Sequence, residues 1–104
     1  MEINSEQKEG KLKISLRGEL DHHAAREGVL TMERALDAAL PKRLTLDFGG
    51  VTFMDSSGIA VVMRAQRRMT ALGGILTLQN VPKQARKVFD AAGILERVKL
   101  EPET

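Results

Sequence analysis

The chain has 104 residues, of which 42% are hydrophobic, and this is enough for a single folded domain spanning 1–104. It contains no cysteine, which excludes disulfides, thiolate metal ligands and cysteine nucleophiles. The formal net charge is only +2 and the three aromatic residues are all Phe, so stacking platforms for single-stranded nucleic acid are scarce.

Charge and hydropathy disfavour two further classes of partner. A weak basic bias in the second half is carried by Arg64, Arg67, Arg68, Lys83, Arg86 and Lys87. Such a bias is more typical of solvated helix faces than of a nucleic-acid surface. The chain has no run of about 18 apolar residues, and its first ten residues are polar and charged, so we predict neither a membrane span nor a signal peptide. We therefore expect a cytoplasmic protein with no direct nucleic-acid or membrane partner.

The first predicted element is a strand over 11–17, because apolar and polar residues alternate there with the period of two of a half-buried strand. Gly18 is predicted to end it. The residues before it, 2–4, can pair with it in an antiparallel edge hairpin.

A helix and a second strand follow. Apolar residues recur at helical spacing over about 24–40, and Pro41 is expected to stop that helix. Residues 43–48 alternate again as a strand. We expect 49–50, a pair of glycines, to form a turn before the short apolar run 51–54.

The second half repeats this order. Asp and Ser side chains at 55–58 indicate a helix start, and the glycines at 73–74 are expected to close that helix. A short strand over 75–78 follows. Pro82 suits the first turn of a third helix, and a last strand is expected near 98–100.

Alternation of strands and helices is the pattern of an α/β layer. Consecutive strands separated by helices are expected to run parallel and to be joined by right-handed crossovers. We therefore predict an α/β fold with a mostly parallel sheet.

Ser56 and Ser57 are the first candidates for chemistry because they follow a strand and open a helix. A helix N-terminus carries free N–H groups and partial positive charge, so it accommodates an anion such as a phosphate. A phosphate on either serine would therefore be tolerated by its own domain. The alternative is a serine that only caps the helix.

Catalytic and metal sites are poorly supported. A nucleophile elbow requires Gly-x-Ser-x-Gly, and Met54 stands where the first glycine belongs. A triad of Ser56, Asp55 and His22 or His23 would require the histidine base to lie within hydrogen-bond reach of the serine hydroxyl, and nothing in the sequence shows this. The two histidines are adjacent and lack a third nitrogen or sulfur ligand, and no glycine-rich phosphate loop is present. We expect no catalysis, no metal and no cofactor of its own.

Three segments resemble one known family. Residues 51–59 read VTFMDSSGI, which resembles the signature of the STAS domain in its anti-sigma factor antagonist branch. Residues 18–23 read GELDHH and are similar to the same region of the sporulation members of that branch. Residues 85–94, ARKVFDAAGI, resemble the closing helix and cap. The likeness runs from about residue 2 to residue 100.

The resemblance implies both a fold and a mechanism. The fold would be a mixed sheet of four to five strands with helices mainly on one side. Ser56 would be the phosphoacceptor, and the partner would be an anti-sigma factor with serine kinase activity that uses ATP and Mg²⁺. The unphosphorylated antagonist would bind it and release a sigma factor, and a serine phosphatase would reset the phosphorylated form. Ala60 departs from the glycine of many relatives, which bears on partner specificity.

The contact surface is expected around Ser56. We predict that Asp21 and Asp55 flank it, because both would follow strands at the same edge of the sheet. The full set of predicted partner-binding residues is Asp21, His22, His23, Asp55, Ser57, Gly58, Arg64 and Arg67.

Other functions remain open from the sequence. The same fold could serve as a scaffold subunit of a stress-sensing complex, although such relatives tend to be longer. A small enzyme using Ser56 and His23, or a regulatory domain of an anion transporter, is disfavoured. The sequence leaves open the sigma factor, the choice between sporulation and stress response, the oligomeric state and direct nucleotide binding.

Overall fold

Five strands form one mixed sheet in the order in which they occur along the chain. The computed structural model describes residues 1–101. Its elements are β1 (Glu2–Lys8), β2 (Lys11–Leu20), α1 (His22–Ala39), β3 (Arg43–Met54), α2 (Ser57–Ala71), β4 (Ile75–Gln79), α3 (Lys83–Ala91), a 3₁₀ turn (Ile94–Glu96) and β5 (Lys99–Leu100). The strands β1 and β2 are antiparallel, and the pairs from β2 to β5 are all parallel. The predicted α/β fold with a mixed, mostly parallel sheet is confirmed.

The prediction that Gly18 ends its strand is wrong. Strand β2 runs through Gly18 to Leu20, and Gly18 has a φ of 108° that side chains rarely adopt. The pairing of β2 with β3 shifts register on either side of it. Gly18 therefore lies within an irregular stretch of the ladder, where its conformational freedom keeps the two strands paired.

The predicted turn at 49–50 is also wrong, because β3 passes through both glycines without a break. Three residues of β2, from Ser15 to Arg17, are matched by four residues of β3, from Asp47 to Gly50. A Cβ on Gly50 would lie 3.0 Å from the Leu16 carbonyl oxygen, so a glycine permits this close approach. The glycine pair therefore marks a bulge that bends β3 and lets it continue to Met54.

The core lies on one face of the sheet. Leu44, Leu46 and Phe48 of β3 are fully buried there. Phe89 of α3 packs edge to face against Phe48, with 5.4 Å between the ring centroids. All three helices contribute to the same buried cluster. The opposite face is polar, as the contact between the hydroxyl oxygens of Thr45 and Thr77 at 3.2 Å illustrates.

The helix ends follow local chemistry. Helix α1 ends before Pro41, with Leu40 in the left-handed conformation at φ 43°. Helix α2 is followed by Gly73 at φ 69°, as predicted from the glycines at 73–74, and α3 is followed by Gly93 at φ 71°. Within residues 1–101, none of the helices combines the length and the apolar character that a membrane span needs.

Candidate functional site

Two strand ends bring the candidate residues together. Leu20 and Met54 are the last residues of β2 and β3, and they are paired in the parallel ladder. The Asp55 N–H donates to the Leu20 carbonyl oxygen at 3.3 Å. Asp21 and Asp55 therefore leave the same edge of the sheet, as expected from their positions directly after two strands.

The two aspartates cap the two helices that begin there. The Asp21 carboxylate accepts a hydrogen bond from Ala24 N–H at 2.9 Å at the start of α1. The Asp55 carboxylate accepts one from Ser57 N–H at 2.7 Å at the start of α2. Each such cap typically stabilises a helix by about 1 kcal/mol, and a negative charge at this end also complements the helix dipole.

The side chain of Ser56 makes no capping hydrogen bond. The Ser56 backbone stands at the start of α2 with φ −62° and ψ −15°. Ser56 is exposed, whereas Ser57 is half-buried. Ser56 therefore occupies the N-cap position without capping through its side chain, because the Asp55 carboxylate accepts the bond from Ser57 N–H instead. The exposed Ser56 side chain is accessible to solvent.

The two histidines belong to α1, although the helix was predicted to begin only near residue 24. Both are exposed in its first turn, because the Asp21 cap starts the helix at His22, about two residues earlier than the sequence suggested. His23 Nε2 lies 3.4 Å from the Glu27 carboxylate, which directs it along its own helix. His22 lines a shallow apolar cleft of about 390 Å³ between α1 and α2, together with Leu30, Ser57 and Ala60.

The two candidate arginines differ in their contacts. Arg64 forms an ion pair with Glu33 of α1, and the hydrogen bond to this carboxylate, then its charge, raise the pKa of Arg64. Arg68, one turn later, pairs with Asp37, so the two pairs join α2 to α1 across the surface. Arg67 is exposed on α2. The sequence pattern did not show which arginines form ion pairs, because the acidic partners of Arg64 and Arg68 lie 31 residues away in the chain.

Gly58 lies inside the domain rather than on its surface. A Cβ at this position would come within 2.4 Å of the Met54 sulfur and 3.1 Å of a Leu20 methyl carbon. Helix α2 can therefore begin directly over the ends of β2 and β3 only because residue 58 has no side chain. Any influence of Gly58 on a contact surface is indirect and acts through the placement of α2.

One contact at this site was not predicted from the sequence. The carboxamide of Gln84, in the first turn of α3, forms two hydrogen bonds with the backbone of Met54. Gln84 also lines a second cleft, of about 510 Å³, with Ser56, Ile59, Lys87 and Val88. No local pattern marks this residue, since its partner lies 30 positions earlier in the chain.

No metal centre accompanies the site in the part of the chain that the structure describes. Residues 1–101 contain no group of three or more His, Cys, Asp or Glu side chains arranged to hold a metal ion.

Comparison with known proteins identifies the family. A family model described as "Mlab, STAS domain" matches residues 3–101. The chain belongs to the STAS domain family. The family membership expected from the resemblance of residues 51–59 and 18–23 is thereby confirmed.

Relatives within the STAS family narrow the branch. The chain is 35% identical to the anti-sigma F factor antagonist of Lysinibacillus sphaericus over 81 residues, which is 78% of this chain and 69% of that protein. It is 29% identical to the anti-sigma factor antagonist SpoIIAA in its unphosphorylated form, with a TM-score of 0.82, covering 98% of this chain and 90% of that one. The phosphorylated form of the Bacillus cell fate determinant SpoIIAA gives 29% identity and a TM-score of 0.74, with coverage of 98% and 93%. These STAS relatives are regulatory proteins rather than enzymes, as expected for this chain from its sequence.

Proposed function

We propose that this STAS protein is an anti-sigma factor antagonist that is switched by phosphorylation of Ser56. Its unphosphorylated form binds an anti-sigma factor with serine kinase activity in the cytoplasm and so releases a sigma factor. The kinase then phosphorylates Ser56 and the complex dissociates, and a serine phosphatase restores the starting form. The observation that carries the proposal is the exposed Ser56 hydroxyl at a helix start whose cap is supplied by Asp55.

The local electrostatics suit such a switch. A phosphate adds about −1.5 to −2 charges at neutral pH, and the N-terminus of α2 offers partial positive charge to the modified side chain. The same charge in a protein contact must be desolvated or repelled. A loss of about 2.8 kcal/mol lowers affinity about a hundredfold, which an unpaired dianion readily causes. One modification can therefore preserve the fold and end the complex.

The proposed contact surface surrounds Ser56. It includes Asp21, His22 and His23 at the start of α1, and Asp55, Ser57, Arg64 and Arg67 near or on α2, with Gly58 beneath them. Apolar area is available beside it, since Phe53 is 46% exposed and Leu30 is 58% exposed. Apolar side chains ringed by charges are typical of protein-binding surfaces.

Phosphate mapping tests the proposal directly. After incubation with the cognate anti-sigma factor, ATP and Mg²⁺, we expect tandem mass spectrometry to place the phosphate on Ser56. Ser57 is disfavoured because it is half-buried and its backbone N–H is bound by Asp55. A Ser56→Ala variant should bind the partner and acquire no phosphate. Phosphate on Ser57 while Ser56 is intact would refute the assignment.

Arg67→Glu tests the extent of the contact surface. Because Arg67 is exposed on α2, we expect the substitution to slow association about tenfold at low salt and to change the salt dependence of the rate. Stopped-flow or surface plasmon resonance measurements at several ionic strengths would detect this.

The matched control for that measurement is Arg43→Glu. Arg43 carries the same charge change but begins β3, at the opposite end of the strand from Met54. We expect Arg43→Glu to leave the association rate unchanged. Equal behaviour of the two variants would place Arg67 outside the contact surface.

A further inference from the structure

The strand that leads to Ser56 extends beyond its neighbour. Strand β3 pairs with β4 only over Arg43–Asp47, and β4 ends at Gln79, whereas β3 continues to Met54. On the other side β2 accompanies β3 to its end, where Leu20 pairs with Met54. The last residues of β3 therefore lack a strand on the β4 side.

The backbone of Met54 faces that open side. Successive residues of a strand direct their N–H and C=O groups to alternate sides. The Asp55 N–H points to β2, where it donates to the Leu20 carbonyl oxygen, so the polar groups of Met54 point away from β2. Backbone groups in such a position need partners, and Met54 itself is fully buried.

Gln84 supplies both partners. The Met54 N–H donates to Gln84 Oε1 at 2.9 Å, and Gln84 Nε2 donates to the Met54 carbonyl oxygen at 2.8 Å. A carboxamide carries a donor and an acceptor side by side, so it replaces the missing strand at this one residue. A carboxylate lacks the donor, and an aliphatic side chain lacks both groups.

We propose that Gln84 is a positioning residue for the phosphorylation of Ser56, and this rests on the function proposed above. By holding the Met54 backbone, Gln84 ties α3 to the segment that carries the phosphoacceptor two residues later. In the reaction the Ser56 Oγ forms a bond to the γ-phosphorus of ATP, the bond from that phosphorus to the bridging oxygen breaks, and ADP leaves. The hydroxyl proton passes to a base of the kinase. Because phosphoryl transfer depends on placement of the attacking oxygen, a shift of about 1 Å can lower the rate by up to about a hundredfold.

Kinetics of Gln84→Leu test the proposal. With the cognate anti-sigma factor, ATP and Mg²⁺, we expect the kcat for phosphorylation of this variant to fall about tenfold. We expect KM for the protein substrate to stay within about twofold, because most of the proposed contact surface lies on α1 and α2.

Gln79→Leu is the matched control. It removes a carboxamide at the end of β4 that donates to Glu101 Oε2 at 2.8 Å, away from Ser56. We expect it to keep the wild-type kcat. A wild-type kcat in Gln84→Leu, or an equal fall in both variants, would overturn the proposal. Circular dichroism at the assay temperature verifies that both variants are folded.

Amide hydrogen exchange provides a measurement that does not depend on the kinase. In Gln84→Leu the Met54 amide should exchange at least about tenfold faster than in the wild type, while amides in the core of β3, such as that of Leu46, keep their protection. Unchanged exchange at Met54 would overturn the proposal whatever the kinetics. If the wild type acquired no phosphate on Ser56 but the exchange result held, the proposed function would be wrong. The two hydrogen bonds from Gln84 to the Met54 backbone would still be supported.

Discussion

Ser56→Asp is expected to fold like the wild type and to bind the anti-sigma factor at least about a hundredfold more weakly. Stability should be preserved for two reasons. The Ser56 side chain makes no capping hydrogen bond that the substitution would remove. An acidic residue at a helix start is also favoured by about 0.3–1 kcal/mol. Affinity should fall because the carboxylate places negative charge in the proposed contact surface.

Ser56→Asn is the matched control for Ser56→Asp. Asn has nearly the shape of Asp and is equally well accepted at a helix start, but it carries no charge. We expect Ser56→Asn to bind with close to wild-type affinity in isothermal titration, and both variants to melt at or somewhat above the Tm of the wild type. Equal affinity of the Asp and Asn variants would show that charge at residue 56 does not control the complex. Unfolding of both would make Ser56 a structural residue.

Gly58→Ala is expected to destabilise the domain by about 1–3 kcal/mol. The added Cβ would lie 2.4 Å from the Met54 sulfur and 2.5 Å from Met54 Cγ, far inside contact distance. Met54 and Leu20 are both fully buried, so neither can swing into solvent to make room. Because about 1 kcal/mol corresponds to roughly 4–8 °C in Tm for a domain of this size, differential scanning fluorimetry or calorimetry would resolve the effect.

Gly28→Ala controls for the intrinsic preference of alanine for helices. Gly28 is also a buried helical glycine, but a Cβ there would meet only a methyl carbon of Ile3, at an ordinary 3.8 Å. We expect Gly28→Ala to be neutral or to stabilise the domain by about 0.5–1 kcal/mol. If Gly58→Ala melted at or above the temperature of Gly28→Ala, the strand ends beneath α2 would have to be more adaptable than their packing indicates.

Local chemistry made much of the site predictable. The Asp-Ser-Ser-Gly run after an apolar strand indicated a helix start at 55–58, and α2 begins at Ser57 with Asp55 as its capping side chain. Asp21 caps α1 in a similar way, although only its place after a strand had been predicted. The helix start at 55–58 was predictable because a helix cap is decided by residues only two or three positions apart, which a sequence displays directly.

Two predictions about where strands end failed, because strand pairing extends both strands. The glycines at 49–50 have the composition of a turn, yet β3 passes through them, because β2 offers a continuous ladder up to Leu20. The pairing energy of that ladder overrides the local preference for a turn, and the glycines are used for a bulge instead. The prediction that Gly18 ends its strand failed for the same reason, since β2 stays paired with β3 beyond it.

The sequence by itself determined the order of strands and helices, the half-buried character of the strands, the capped helix starts and the likeness to the STAS family. All of these depend on periodicity and on short motifs. Only the tertiary structure decided that Arg64 is paired with Glu33, that Gly58 lies buried under α2, and that Gln84 completes the edge of β3 at Met54. Each of these is a contact between segments distant in the chain or a matter of packing against them, and such contacts form only when the sheet brings its strand ends and helices together.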